Sequence, residues 1–211
     1  MLKYFAVGIF ALFLIGCSSK VDEEFNKPAL YWYQKLVFEA SKGDLEQADN
    51  YFTSLQSEHI NSPFLSDAMI LLGTAHMNHE EYLLANFYFD EYIKRFGDKK
   101  SLDYPKFLKI KANFLSFKYK YRDQKLLDES VEEANGFIME YPNSQFILDV
   151  KTMLTKMVLA KIDLNYQIAS LYDRRDKISA SEYYRNKNSS YWAKNLQYEE
   201  ARDSFIREIF E

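Results

Sequence analysis

Apolar residues recur three and four positions apart along most of the chain, the spacing of one buried helical face. Leu45, Ala48, Phe52 and Leu55 form one such ladder, and Tyr82, Ala85, Phe89 and Tyr92 repeat it with the same 3, 4, 3 steps. Short polar breaks separate the ladders, so the pattern predicts helices in close succession. The predicted pairs are 29–42 with 45–57, 64–78 with 81–96, 104–121 with 126–140, and 145–172 with 178–186. Residues 191–211 are a last predicted helix, with Leu196, Ala201, Phe205 and Ile209 as its contacts. Turns as short as Gly43-Asp44 make paired helices antiparallel neighbours. In the long fourth helix Met153, Met157, Ala160, Leu164, Ile168 and Leu171 are expected to form one buried stripe.

Composition agrees with this pattern. The 211 residues include 6 Gly and 4 Pro, where average usage would give about 15 and about 10. Both interrupt regular structure, so their scarcity favours long helices and argues against a loop-rich β-sandwich. The prolines, Pro28, Pro63, Pro105 and Pro142, are spaced 35, 42 and 37 residues apart, a period typical of stacked helix pairs. Ser62-Pro63 has the form of an N-cap followed by proline in the first turn. Asp103-Tyr104-Pro105 has the same form, and Asn143-Ser144 suits the cap of the next helix. The expected fold is all-α, a right-handed solenoid of antiparallel helix pairs. Its units are 28–62, 63–103, 104–142 and 143–190, followed by a C-terminal helix at 191–211.

The first 16 residues stand apart. Lys3 precedes thirteen uncharged residues, 4–16. That run is shorter than the ~20 residues a membrane span needs and suits a secretory signal peptide. It ends Leu14-Ile15-Gly16-Cys17, which resembles a bacterial lipobox. There a small residue precedes the cleaved bond, and the following thiol receives a diacylglyceryl group. Cys17 is the single cysteine and the candidate lipidation site. Two or three acyl chains would anchor the protein to a bilayer. Residues 17–27 are a polar tether, and Ser18 after the cysteine points to the outer membrane.

Chemistry-bearing motifs are scarce. Charge is 27 basic against 31 acidic, a net of -4, without the basic bias that nucleic acid calls for. The four glycines after the signal, Gly43, Gly73, Gly97 and Gly136, stand alone, so no phosphate loop is formed. Glu132-Glu133 and Glu199-Glu200 are adjacent and point apart on a helix. His76 and His79, with Glu80 and Glu81, have a spacing that could hold a metal or serve an envelope hydrolase. His76 falls at a packing position and His79 in a turn, however. No catalytic residue, cofactor or metal ligand is assigned.

The second pair resembles a tetratricopeptide repeat. Leu72 and Gly73 take the Leu-Gly position, and His76 stands where an aromatic is usual. Tyr82, Ala85 and Phe89 follow at the repeat's spacing. The first pair matches with Trp32, Gly43, Ala48 and Phe52, and the third places Ser130 and Phe137 at its small and large positions. Joined to the lipobox, the junction Tyr141, Pro142, Asn143, Ser144, Gln145, then Asp149, Tyr166, Ala169, Tyr172 and Arg175, resembles the BamD (ComL) family of outer-membrane assembly lipoproteins. Another envelope scaffold, linked to peptidoglycan or pili, would share fold and anchor, and the 141–145 junction favours the BamD family.

The resemblance implies a role on the periplasmic face of the outer membrane. It implies binding to the periplasmic domains of BamA and to the C-terminal signal of unfolded outer-membrane proteins. For the signal it points to tyrosines of the N-terminal repeats: Tyr33, Tyr51, Tyr82 and Tyr88. For BamA it points to Arg175 and to the second helix of the fourth repeat. There a family arginine aligns with Tyr184, and Arg185 is next to it. The family usually has five repeats, and residues 191–211 leave room for one helix of the fifth.

Overall fold

The computed structural model describes residues 24–97, 102–117 and 124–188. Among them are eight helices: α1 (Ala29–Lys42), α2 (Leu45–Glu58), α3 (Phe64–Asn78), α4 (Tyr82–Phe96), α5 (Asp103–Ser116), α6 (Gln124–Glu140), α7 (Ile147–Asp173) and α8 (Ile178–Lys187). The described residues contain no strand. None of these helices is long and apolar enough to cross a membrane. Each helix packs on the next in sequence, and α1, α3, α5 and α7 also pack side by side in that order. The result is a stack of tetratricopeptide-like helix pairs in which the odd helices make a continuous layer.

The turns follow from their residues. Gly43 closes α1 with φ 83°, a left-handed conformation that costs glycine nothing. Its N–H bonds Ala40 O, and the Asp44 N–H bonds Glu39 O. The Asp44 carboxylate then accepts the Gln47 N–H at 3.1 Å and caps α2. Ser62 acts as expected: its hydroxyl accepts the Phe64 N–H at 3.2 Å, and Pro63 already has helical backbone angles. Ser144 does the same for Phe146 at 3.2 Å. Its hydroxyl also donates to Asp103 at 2.9 Å, joining the starts of α5 and α7.

The predicted ladders 45–55 and 82–92 are buried except at Tyr82, which is half-buried. Ala48 and Ala85 are fully enclosed, as are Leu55 and Phe89. Gly73 lies against the Phe89 ring so closely that a Cβ there would meet ring carbons at 2.5–2.9 Å. The Leu-Gly position is thus a contact between α3 and α4. Two larger cores result. One joins α1–α4 around Trp32, Leu36, Phe52, Met69 and Tyr88. The other joins α5–α7 around Ile110, Phe137, Val150, Met157 and Ile162. A smaller cluster, with Met77, Phe89 and Leu108, connects them.

Some helix ends differ from the pattern. The helix expected at 104–121 is Asp103–Ser116. The Ser116 hydroxyl bonds back to Asn113 O at 2.6 Å, competing with the backbone ladder, and Phe117 leaves helical geometry to pack on the second core. Because the helix begins at Asp103, Pro105 is its third residue rather than its first, still within the turn where no N–H is required. Gln124 and Lys125, expected in a turn, are helical. In α7 burial exceeds one stripe: Val150, Leu154, Val158 and Ile162 are enclosed as well, while Leu171 is exposed. Neighbours on more than one side leave the helix no single polar face. The signal segment, Cys17 and the helix expected at 191–211 lie outside the described residues.

Candidate functional site

The N-terminal half centres on a polar node inside the apolar ladders. His76 is 1% exposed and lies parallel to the Tyr88 ring, centroids 5.5 Å apart. It thereby performs the stacking of the aromatic usual at that position. Its Nε2 lies 3.0 Å from Asp49 Oδ1 of α2, and its Nδ1 lies 2.5 Å from Glu81 Oε2 at the start of α4. The Tyr88 hydroxyl donates to the same Asp49 oxygen at 2.6 Å. One imidazole thus links α2, α3 and α4. Burial pulls its pKa down, but the hydrogen bonds and charges of Asp49 and Glu81 outweigh that and raise it. Burial, then Asp49, also raises the Tyr88 phenol. Both carboxylates are engaged in bracing the imidazole. Among the described residues no group of three or more His, Cys, Asp or Glu is placed to hold a metal.

The four tyrosines assigned to peptide binding fall into different settings. Tyr33 is half-buried on α1 and stacks on Phe64 of α3, centroids 5.1 Å apart and planes 19° off parallel. Burial, helped by the Asp67 charge, raises its pKa. Tyr104 and Phe107 of α5 repeat this contact with Phe146 at the start of α7, at 5.4 and 4.5 Å. Aromatic pairs therefore bridge α1 to α3 and α5 to α7 along the odd-helix layer. Tyr51 is half-buried on α2, 6.1 Å from the Trp32 ring. Tyr82 is half-buried at the start of α4 and lines a mainly apolar cavity of about 390 Å³ with Leu84, Asn113 and Leu126. Tyr88 is 4% exposed, its ring and hydroxyl both engaged in the node. Tyr33, Tyr51 and Tyr82 therefore keep accessible surface, whereas Tyr88 supports from below.

The three residues assigned to partner binding lie together at the other end of the stack. The turn from α7 to α8 carries Arg174, Arg175 and Lys177, all exposed. Asp176 has φ 56°, and the Lys177 N–H returns to Tyr172 O at 3.0 Å. Tyr184 stacks on Tyr172 with centroids 5.8 Å apart. The Arg185 guanidinium pairs with the Asp173 carboxylate at the end of α7. Arg175 is two residues from that pair. The sequence positions 175, 184 and 185 thus become one basic, tyrosine-bearing corner.

A polar seam escaped the sequence pattern. Lys109 of α5 reaches Asp90 of α4 at 2.8 Å and Glu133 of α6 at 3.1 Å. Asn113, one turn further, accepts from Asn86 at 2.6 Å and donates to Glu133 at 2.9 Å. Lys106, one turn earlier, pairs with Glu140 at 2.6 Å. Burial opposes the charge on Lys109, but Asp90 and Glu133 outweigh it and raise its pKa. The seam borders a groove of about 310 Å³ with Ile93, Gly136 and Phe137. The available signal was the 3- and 4-residue spacing of polar groups on α5 facing acids of two other helices.

Comparison with known proteins bears on this geometry. The profile of the YfiO family, described as outer membrane lipoprotein, matches residues 26–195. The chain is 45% identical over 183 residues to the outer membrane protein assembly factor BamD of Helicobacter pylori, covering 83% of each. It is also similar to the BamD of Caulobacter vibrioides, at 21% identity over 150 residues, 69% of this chain and 49% of that protein.

Proposed function

Because the chain belongs to the YfiO family of outer membrane lipoproteins, related to assembly factors BamD, we propose that it is a lipid-anchored scaffold of the outer-membrane β-barrel assembly machinery. Association with the outer membrane and its protein assembly follows from the family. The finer reading places the chain on the periplasmic face, attached through acylated Cys17. There it binds the periplasmic domains of BamA through the Arg175, Tyr184 and Arg185 corner. It receives the C-terminal signal of unfolded outer-membrane proteins on the N-terminal repeats, at Tyr33, Tyr51 and Tyr82, with Tyr88 holding the surface in place.

The observation carrying this reading is the 45% identity across 83% of both chains. The physics fits. Unfolded barrel strands have unpaired edges and alternating apolar faces and aggregate in water. A helical stack gives an extended peptide a long surface, and half-exposed rings give its aromatic residues something to pack on. The test is affinity capture from solubilised outer membrane with the tagged, lipidated protein. Recovery of a BamA-type barrel protein is expected, and its absence would overturn the proposal. Photocrosslinking of a C-terminal barrel peptide should label the surface around Tyr33 in preference to the α7–α8 corner.

A further inference from the structure

The corner where the tether joins the stack has the features of a membrane-contacting surface. The tether does not leave the first helix pair freely. At Asn26 the chain turns through φ 53°. The Asn26 N–H reaches Glu58 Oε1 at 3.4 Å, and Glu58 Oε2 is fixed by the Trp32 indole N–H at 2.8 Å. One residue on, the Lys27 carbonyl lies 2.7 Å from His59 Nε2. Two bonds thus pin the end of the tether to the end of α2. Three large apolar side chains next to these pins in sequence are exposed to solvent. Phe25, beside Asn26, is 65% exposed; Leu30, in the first turn of α1, is 48%; Ile60, beside His59, is 62%.

A tether fixed at Lys27 cannot carry this corner far from its anchor. Lys27 is ten positions on from Cys17, so the corner stays within about 35 Å of the acylated cysteine even at full extension. Exposed Phe, Leu and Ile held at a membrane surface gain by entering the headgroup–acyl boundary, where burial is roughly 5–10 Å deep. We propose that the corner formed by Phe25, Leu30 and Ile60 docks on the lipid bilayer itself, so that the first helix pair rests on the membrane and fixes the tilt of the stack. This rests on lipidation at Cys17, which belongs to the proposed function above.

The test uses the mature, lipidated full chain in vesicles of phosphatidylethanolamine and phosphatidylglycerol containing nitroxide-labelled lipid. Acylation occupies the Cys17 thiol, so single cysteines introduced as Phe25→Cys, Leu30→Cys or Ile60→Cys can each carry an environment-sensitive dye. Leu148→Cys, on exposed α7 surface, is the reference. Circular dichroism checks that each variant is folded. Dyes at 25, 30 and 60 should be quenched by the nitroxide lipid at least about threefold more than the dye at 148, as interfacial insertion requires. Equal quenching at all four positions, in a chain whose intact mass shows acylation, would overturn the docking while leaving the anchor standing. A mass without acyl chains, together with failure to float with vesicles, would overturn the anchor and the docking with it.

Discussion

Helices α1–α4 close around Trp32, Phe52, Tyr88 and Phe89, with the hydrogen-bonded His76 imidazole and its two carboxylates in their midst. Helices α5–α7 close around Leu127, Val150, Met153, Leu154, Met157 and Ile162, with Phe137 the one ring among the buried side chains of that cluster and its other rings only half-buried at the margin. The helix pairing is the same, but the filling differs. Flat rings and fixed hydrogen bonds admit few alternative packings, whereas methionine and aliphatic chains can repack around small displacements. The first half is thus suited to keep one packing, and the second to accommodate small displacements.

The largest effect should come from the rings. Phe89→Ala empties a fully buried site between α3, α4 and α5 and should cost about 3–5 kcal/mol. Met157→Ala, the matching truncation at a comparably buried site in the second core, should cost nearer the low end of about 2–5 kcal/mol, because flexible neighbours can close on the cavity. Urea denaturation measures both. Equal losses would remove the distinction between the halves.

The same small change should have opposite signs in the two halves. At Gly73 an added Cβ meets the Phe89 ring at 2.5 Å, and an enclosed ring cannot withdraw. Gly73→Ala should therefore destabilise by about 1–3 kcal/mol, despite its better helix propensity. At Gly136 a Cβ meets nothing within 4 Å, so Gly136→Ala should stabilise by about 0.5–1 kcal/mol. Thermal melts of the two variants decide it. Stabilisation by both would show that α3 and α4 tolerate separation.

How far these features could be read in advance follows from what each depends on. The ladder of Ala48, Phe52 and Leu55 and the close approach at Gly73 rest on neighbours a few residues apart or on a repeat register, and both are written in the spacing. The end of α5 at Ser116 rests on one hydroxyl competing for a backbone carbonyl, which spacing does not encode. The His76 node needs Asp49 from 27 residues away. The His76 position was legible as packing, but its charge partners were not. The Lys109 seam needs three helices at once. The assignment of Arg175, Tyr184 and Arg185 to partner binding rests on family resemblance alone, since no periodicity distinguishes such residues.

The halves should also differ in response to pH. Asp49 and Glu81 raise the His76 pKa in the folded state, so the imidazolium favours folding. This contribution is complete below the ordinary imidazole value of about 6.5 and is lost as pH rises through the raised folded value. Stability should fall with pH in that window, by at most about 1.4 kcal/mol per pH unit. His76→Phe keeps the ring stack on Tyr88 and should flatten the profile. If the wild-type slope survives in that variant, the node is not its source.

The smallest effect on stability should be at the basic corner. Arg185 and Asp173 are paired but about half and over a third exposed, and such pairs contribute about 0–1 kcal/mol. Arg185→Ala should therefore leave the melt almost unchanged, within about 1 kcal/mol. If the corner is a docking surface, the same variant should still weaken capture of a BamA-type partner, because a guanidinium supplies directed bonds to carboxylates that a methyl group cannot. Arg185→Lys separates the alternatives further. It keeps the charge but loses the planar fork, so it should restore little of the capture if recognition is bidentate, and most of it if charge alone draws the partner in. A large loss of stability in Arg185→Ala would instead make the corner part of the fold, and the division between a rigid first half and an adaptable second half would have to move to α8.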